Sequence, residues 1–242
     1  METHIIVTNN YKNQLKQTSQ AKALSRFLQV LDSVFPSGAF VHSFGLEPHI
    51  VLGLVNDNKT LKQYLENILY DQYQKLEFAL VKKVFKLLEE EKLNHLIKED
   101  AKFSSMLSFE YAKASKDMGE NYLKHINFDI KNKIVKEYFS SVQSKKTYGN
   151  ELIVLSTYAY ELELDMEIFL LLWTKKNLIN IASASLKISR VKPSQIQEIL
   201  FSFDEVIDEL IKKSSKNLSN FNPLFEEVIF SHLNLEPKMF MT

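Results

Sequence analysis

The sequence predicts an all-α protein organised as one multi-helix bundle, and three observations support this prediction. The 242 residues include only five glycines and five prolines, so few positions interrupt regular structure. Between these positions, apolar residues recur mainly at the spacings that place side chains on one face of an α-helix. No stretch rich in Pro, Gly or Ser divides the chain and no internal repeat is visible, which favours a single helical domain.

The helical pattern can be followed along the chain. Residues 24–35 carry one apolar stripe, which ends at Pro36 because proline lacks an amide donor. A long helix, or two helices, is predicted over residues 61–88, and Asn58 or Thr60 is a candidate N-cap for its start. The same spacing predicts further helices over residues 102–125, 131–142, 148–162, 165–188 and 195–213.

The two ends of the chain are expected to differ from the bundle. Residues 1–20 are polar without a sustained apolar face, so we predict a mobile N-terminal segment ahead of a helical domain at residues 21–231. Residues 232–242 are predicted to be a partner-binding tail, because apolar side chains such as Phe240 and Met241 are unusual at a free terminus. The alternative is that this tail folds back on the core of its own chain.

Charge and cysteine content exclude several classes of protein. The 30 Lys and Arg residues balance the 30 Asp and Glu residues, and no basic stripe indicates nucleic acid or an acidic membrane as a partner. The chain has no cysteine, which excludes disulfides and thiolate metal sites and suits a reducing compartment. Its N-terminal apolar run is too short for a signal peptide or a membrane span, so a cytoplasmic location is predicted.

The residues offer little support for catalysis or for a bound metal or other cofactor. None of the six histidines pairs with another at the spacing that places two ligands on one helical face, and Pro48 separates His42 from His49. Ser43 lies beside His42 and near Glu47, but neighbours in sequence on a helix do not face one another as triad members must. No phosphate-binding loop is present. A packed histidine is therefore favoured over a metal ligand, and a helical enzyme with a site built from scattered residues is the alternative function.

Residues 27–55 contain the most specific pattern in the chain. An amphipathic helix leads to the segment FPSGAFVHSFGLE, which resembles the N-terminal signature of the urease accessory protein UreF family. Glycines in such a corner permit tight turns and the close approach of another backbone. The alternative is a helix-turn-helix packing corner with no further role. The residues of the corner that the resemblance assigns to assembly are Pro36, Gly38, Phe40, His42, Ser43, Gly45 and Glu47.

Two internal segments are also similar to the family. The segment AKASKDMGENYL at residues 112–123 resembles a family helix with the pattern AS-x-x-x-G, with Ser115 and Gly119 at the matching positions. Tyr148 and Gly149 open a predicted helix at the corresponding later place. The order and spacing of these segments agree with those of the family.

The C-terminal segment HLNLEPKMFMT is similar to the family's ending. The residues assigned there to partner binding are His232, Leu235, Lys238, Phe240 and Met241. The chain also departs from the family pattern. Phe40 stands where tyrosine is common, and Lys238 replaces an arginine and so lacks its bidentate fork.

The resemblance implies an all-α homodimer that is not itself an enzyme and has no cofactor of its own. Proteins of this family act between the GTPase UreG and the accessory protein UreD, called UreH in some bacteria. The complex delivers nickel to apo-urease in a GTP-dependent manner. By resemblance, the expected partners are therefore a second copy of this chain, UreG, UreD/UreH and apo-urease.

Overall fold

The computed structural model describes residues 19–32, 34–38, 43–188, 191–215, 218–219 and 223–240. Every regular element in these ranges is helical, which confirms the all-α prediction. The helices are residues 19–31 (α1), Leu46–Val51 (α2), Asn58–Asn67 (α3), Glu77–Glu89 (α4), Leu93–Met106 (α5), Phe109–Ile126 (α6), Lys133–Gln143 (α7), Glu151–Glu161 (α8), Met166–Ile188 (α9), Pro193–Phe201 (α10), Asp204–Lys213 (α11) and Pro223–Ser231 (α12). A π-helical segment, Ile68–Tyr73, follows α3, and a 3₁₀ turn, His232–Asn234, follows α12.

The centre of the bundle is α8, which packs against α4, α6, α7 and α9. Residues 152–159 of this helix are all buried, so its whole circumference faces the core. Inside the core, the hydroxyls of Ser156 and Thr157 donate to the carbonyls of Leu152 and Ile153. These bonds satisfy polar groups that water cannot reach.

The second long core element is α9, which packs against α2, α3, α4, α8, α10 and α11. Phe169, Leu170 and Trp173 of this helix are buried within the chain itself, whereas Ile168 is 40% exposed. The apolar run at the start of α9 is therefore covered largely by its own bundle. No helix in the part of the chain that the structure describes is long and apolar enough to span a membrane.

Sequence periodicity merged helices in two places. The structure divides the predicted helix 102–125 between α5 and α6, and it divides 195–213 between α10 and α11. At the second break, the hydroxyl of Ser202 donates to the carbonyl of Ile199 and so competes with continuation of the helix. Phe203 then turns into the core, where it is 1% exposed.

The start of α3 also differs from the prediction. The N-cap is Asp57 rather than Asn58 or Thr60: the Thr60 amide donates to Asp57 Oδ1 at 2.8 Å, and the Asp57 amide donates to Thr60 Oγ1 at 3.0 Å. This reciprocal capping box satisfies two amides that a helix start otherwise leaves unpaired. For residues 61–88, where one long helix or two helices were predicted, the structure has two α-helices, α3 and α4, separated by the π-helical segment and a turn.

Two glycines let α6 pack closely on the loop that precedes α8. A Cβ atom at Gly119 would lie 1.9 Å from the carbonyl oxygen of Gly149, and Gly149 itself has φ +70°. The hydroxyl of Ser115 accepts a hydrogen bond from the Glu151 amide at 3.2 Å. The structure thus brings together the two internal segments that resemble the family, and it gives their small residues a packing role.

Replacing Gly119 by alanine is expected to lower the free energy of unfolding by roughly 2–3 kcal/mol, because the added methyl group collides with backbone that cannot rotate away. The gain in helix propensity offsets only about 1 kcal/mol of the strain. Urea denaturation measures the difference. Lys113→Ala on the exposed face of α6 is the control, and a Gly119→Ala variant as stable as that control would contradict the packing account.

Two acidic side chains lie in the core near one another. The Glu151 carboxylate pairs with Lys176 Nζ at 3.3 Å, and both side chains are less than one-tenth exposed. Glu77 has no such cation among the residues that the structure describes, although Gln72 Nε2 donates to its Oε1 at 2.7 Å. Burial raises the pKa of Glu77 to about 7, and the neighbouring charge of Glu151 adds to the rise.

The raised pKa of Glu77 predicts a pH-dependent loss of stability. Protonated Glu77 favours the folded state, so its contribution is complete below the unfolded pKa of about 4.5 and is lost as pH rises through about 7. Glu77→Gln removes this dependence. Between pH 4.5 and pH 8, the free energy of unfolding of the wild type should therefore fall by about 3 kcal/mol relative to that of Glu77→Gln, as measured by urea denaturation. Parallel stability profiles for the two proteins would contradict the assignment.

Candidate partner-binding site

The corner that resembles the family signature contains a tight turn at the start of α2. Phe44 and Gly45 both have positive φ values, of 53° and 83°, and α2 begins at the next residue. Ser43 is fully buried, and its hydroxyl accepts a hydrogen bond from the Glu47 amide at 3.3 Å. The consecutive left-handed residues reverse the chain so that the first turn of α2 points inward.

Gly45 is the point where the C-terminal part of the chain approaches this turn. A Cβ atom at position 45 would lie 2.9 Å from Ile229 Cγ1 of α12 and 3.2 Å from Tyr111 Oη of α6. Any larger residue would push these elements apart. The glycine therefore serves both the backbone turn and the close contact of α12 with α2.

Glu47 joins the turn to the C-terminal tail. Its side chain is 2% exposed, and its carboxylate accepts the amides of Met239 at 2.6 Å and Phe240 at 3.1 Å. Nε2 of His232 lies 3.2 Å from the same carboxylate. Charge-assisted hydrogen bonds of this kind are stronger than neutral ones. Glu47 thereby holds the end of the chain in place.

His232 lies between two carboxylates. Its side chain is 1% exposed, with Nε2 towards Glu47 and Nδ1 3.5 Å from Glu110 Oε2. Nδ1 has no hydrogen-bond partner among the described residues. A protonated ring would direct one N–H group towards each carboxylate. Glu110 was not anticipated from the sequence, where nothing links α6 to the C-terminus.

The tail therefore adopts the fold-back arrangement that the sequence left as the alternative. Phe240 is 6% exposed and belongs to the hydrophobic core, and Leu235 is half-buried. Lys238 and Met239 are exposed. Phe240 thus anchors the tail, while its two preceding neighbours remain available at the surface.

The other residues that the sequence assigned to assembly do not all lie at this site. Pro36 and Gly38 lie in the turn after α1, where Asn121 Nδ2 of α6 donates to the carbonyl of Ser37 at 3.3 Å. This turn contacts α6 through that bond, and neither Pro36 nor Gly38 is among the described partners of the Glu47 carboxylate. Phe40, His42 and Met241 lie outside the described residues, as does the predicted mobile segment except for its last two residues, which begin α1.

His49 is a packed and hydrogen-bonded histidine. Its Nδ1 lies 2.7 Å from the carbonyl oxygen of Gly45, and its ring contacts the ring of Tyr64 edge-on at 4.7 Å. The hydroxyl of Tyr64 donates to the carbonyl of Phe44 at 3.0 Å, which braces the same turn. Burial lowers the pKa of His49, although the contact with Gly45 opposes this effect. Among the described residues, no three His, Cys, Asp or Glu side chains converge as a metal site.

Exposed apolar side chains occur on the elements that form this site. The sequence marked the apolar tail, but it did not mark the exposed residues at the end of α2 or on α12. α2 packs against α12, and the exposed residues are Val51, Leu52 and Leu54 at the end of α2, Phe230 on α12 and Met239 in the tail. Each is about half exposed or more. Exposed apolar side chains that form a patch with a polar rim are typical of a surface that binds another protein.

Comparison with known proteins identifies the family. The UreF family profile matches residues 55–204, from three residues before α3 to the first residue of α11. The chain is 26% identical to the urease accessory protein UreF of Bacillus sp. (strain TB-90), over 91% of this chain and 99% of that protein. It is 25% identical to the protein of the same name from Ureaplasma urealyticum serovar 10, over 89% of this chain and 94% of that protein.

These relatives are named as accessory proteins and not as enzymes, in agreement with the expectation of a non-catalytic chain. The profile match begins after the turn at Gly45 and ends before the tail, whereas the Bacillus relative aligns over most of the chain. This chain belongs to the UreF family of urease accessory proteins.

Proposed function

We propose that this chain is a non-catalytic assembly subunit in urease maturation. In this proposal a homodimer holds a UreD/UreH-type accessory protein and the GTPase UreG, and the complex delivers nickel to apo-urease in a GTP-dependent step. The observation that supports it best is the joining of the corner and the tail, the two terminal segments with family resemblance, at the buried carboxylate of Glu47.

The surface around Glu47 is proposed to bind the UreD/UreH-type protein. Phe240 and His232 hold the tail from within, while Met239, Phe230 and the end of α2 present apolar area to a partner. Lys238 is exposed and supplies a positive charge at the rim. Buried anchors that fix a backbone, with exposed apolar groups beside them, preorganise an interface and reduce the entropy lost on binding.

Nucleotide chemistry is assigned to a partner, because the sequence lacks a phosphate-binding loop. A cytoplasmic location is part of the same proposal, since a chain without cysteine suits a reducing compartment. Nickel is the cargo of the assembly, and no residue of this chain is proposed as its tight ligand.

Co-purification tests the proposal. An affinity-tagged chain, expressed with the other urease accessory proteins, is expected to retain the UreD/UreH-type protein and UreG through washing. Retention of neither protein by a folded chain would contradict the proposal. The untagged chain in the same cells is the control for adsorption to the resin.

A homodimer is expected, with α9 as one contributor. Ile179 and Leu186 lie two turns apart on one face of α9 and are 42% and 45% exposed. Light scattering at tens of micromolar should give twice the chain mass, and Ile179→Asp should shift the equilibrium towards monomer. Leu28→Asp on α1, where Leu28 is 50% exposed, is the matched control. A wild-type monomer at these concentrations would contradict the expectation.

A further inference from the structure

A small cavity lies beside the corner, on the inner side of Phe44. It has a volume of about 60 Å³ and is lined by side chains of the π-helical segment, α4, α5, α6, α8 and α9. This space exceeds what one water molecule needs. π-helical segments occur often at functional sites, and here the segment contributes Gln72 and Tyr73 to the wall.

Three buried polar groups that line the cavity have no hydrogen-bond partner among the described residues. They are Oε2 of Glu77, Oδ1 of Asn177 and Nε1 of Trp173. Glu77, Trp173 and Asn177 are 5%, 4% and 3% exposed. Unsatisfied groups in such number are uncommon in a folded core, and each costs free energy unless a guest completes it.

The charges around the cavity favour a cation. Glu77 forms no ion pair with a described residue, while Glu151 is neutralised by Lys176 at 3.3 Å. The remaining titratable groups that face Glu77 are the phenols of Tyr73 and Tyr111, and the pKa of each is raised by burial. With Glu77 ionised, the lining therefore has a net charge of about −1, which disfavours an anion.

The aromatic walls favour the same kind of guest. The rings of Tyr73 and Trp173 lie with their centroids 5.0 Å apart, and Tyr111 and Phe103 also line the cavity. Aromatic faces attract organic cations, most strongly where water is excluded. An ammonium group also donates several hydrogen bonds, which suits the two unpaired oxygens of Glu77 and Asn177. A water molecule beside it would accept from the indole N–H of Trp173.

We propose that this cavity is a binding site for a small primary-ammonium cation, with Glu77 as its counter-ion, Asn177 as a second acceptor and Tyr73, Tyr111 and Trp173 as its aromatic walls. The guest replaces the proton that Glu77 otherwise binds, so ammonium binding and protonation of Glu77 compete. The site is independent of the surface around Glu47 and does not depend on the proposed role in urease maturation.

The fluorescence of the chain reports occupancy directly, because Trp173 is the only tryptophan. The probe is methylammonium chloride, titrated into the full chain at pH 8 and constant ionic strength. We expect a saturable change in emission, with weaker binding at pH 6 where Glu77 is protonated. Glu77→Gln should weaken apparent binding by about tenfold or more, because it removes a buried charge-assisted contact.

Matched controls separate the site from general effects. Glu89→Gln, an exposed position on the same helix, should bind methylammonium as the wild type does. Asn177→Leu should also weaken binding, and circular dichroism establishes that each variant is folded. Three results would overturn the proposal: an equal response to sodium chloride, an equal response to the neutral probe acetamide, or unchanged binding by folded Glu77→Gln. Absence of any saturable response by the wild type would indicate a cavity that holds water alone and would also overturn it.

Discussion

Replacing Asp100 by alanine is expected to lower the free energy of unfolding by about 3–5 kcal/mol, the largest effect of any single substitution considered. The Asp100 carboxylate is fully buried and accepts hydrogen bonds from the hydroxyls of Tyr138 and Thr147 at 3.1 and 2.7 Å. It also accepts the amides of Gly149 and Asn150 at 2.7 and 3.2 Å. Alanine leaves the buried donors of Tyr138, Gly149 and Asn150 without this acceptor, and the loop that α6 packs against loses its anchor.

Urea denaturation of the variant and the wild type measures this cost. Asp117→Ala, an exposed aspartate on α6, is the matched control and should change stability by less than about 0.5 kcal/mol. If Asp100→Ala were no less stable than Asp117→Ala, the carboxylate could not be the anchor of the loop. Asp100→Ala should retain its helicity at low temperature. The contacts that it loses hold helices and loops together, and they are not the hydrogen bonds within the helices.

Deleting residues 233–242 is expected to abolish co-purification with the UreD/UreH-type protein. The deletion removes the amides of Met239 and Phe240 that Glu47 accepts, together with the exposed apolar group at Met239. Helicity and dimerisation should be largely intact, because the deleted residues contribute only part of a 3₁₀ turn. Glu47 then becomes solvated, and the cost in stability is smaller than that of an unpaired charge in a closed core.

Two variants make this test sharper. Lys238→Ala should give a milder loss of the partner, because an exposed charge at a rim contributes little on its own. Lys124→Ala on the exposed end of α6 is its control and should bind normally. Full retention of the partner by the folded, truncated chain would remove the tail from the interface, and general unfolding would assign it to the core alone.

The sequence predicted the helical bundle because periodicity is a local property. Periodicity did not predict the part of α5 before residue 102. Asp100 suggests a solvated face when the sequence is considered alone, yet its partners lie 38 to 50 residues away along the chain. A carboxylate that is buried by such distant donors has no local signal.

The candidate site shows the same limit. Glu47 lies in the first turn of α2, where a negative charge interacts favourably with the helix dipole. Its main partners are Met239 and Phe240, which are 192 and 193 residues away. The resemblance marked both segments without indicating that they meet. The apolar residues at the end of α2 were missed because their exposure depends on how α2 packs against the rest of the bundle.

The most direct test of the central claim is the activation of urease in cells. Cells are supplied with nickel and express the urease subunits and the other accessory proteins, with or without this chain. Urease activity should appear only when the chain is present, while the purified chain alone should have none. Equal urease activity in the absence of the chain would contradict its assignment as a maturation factor.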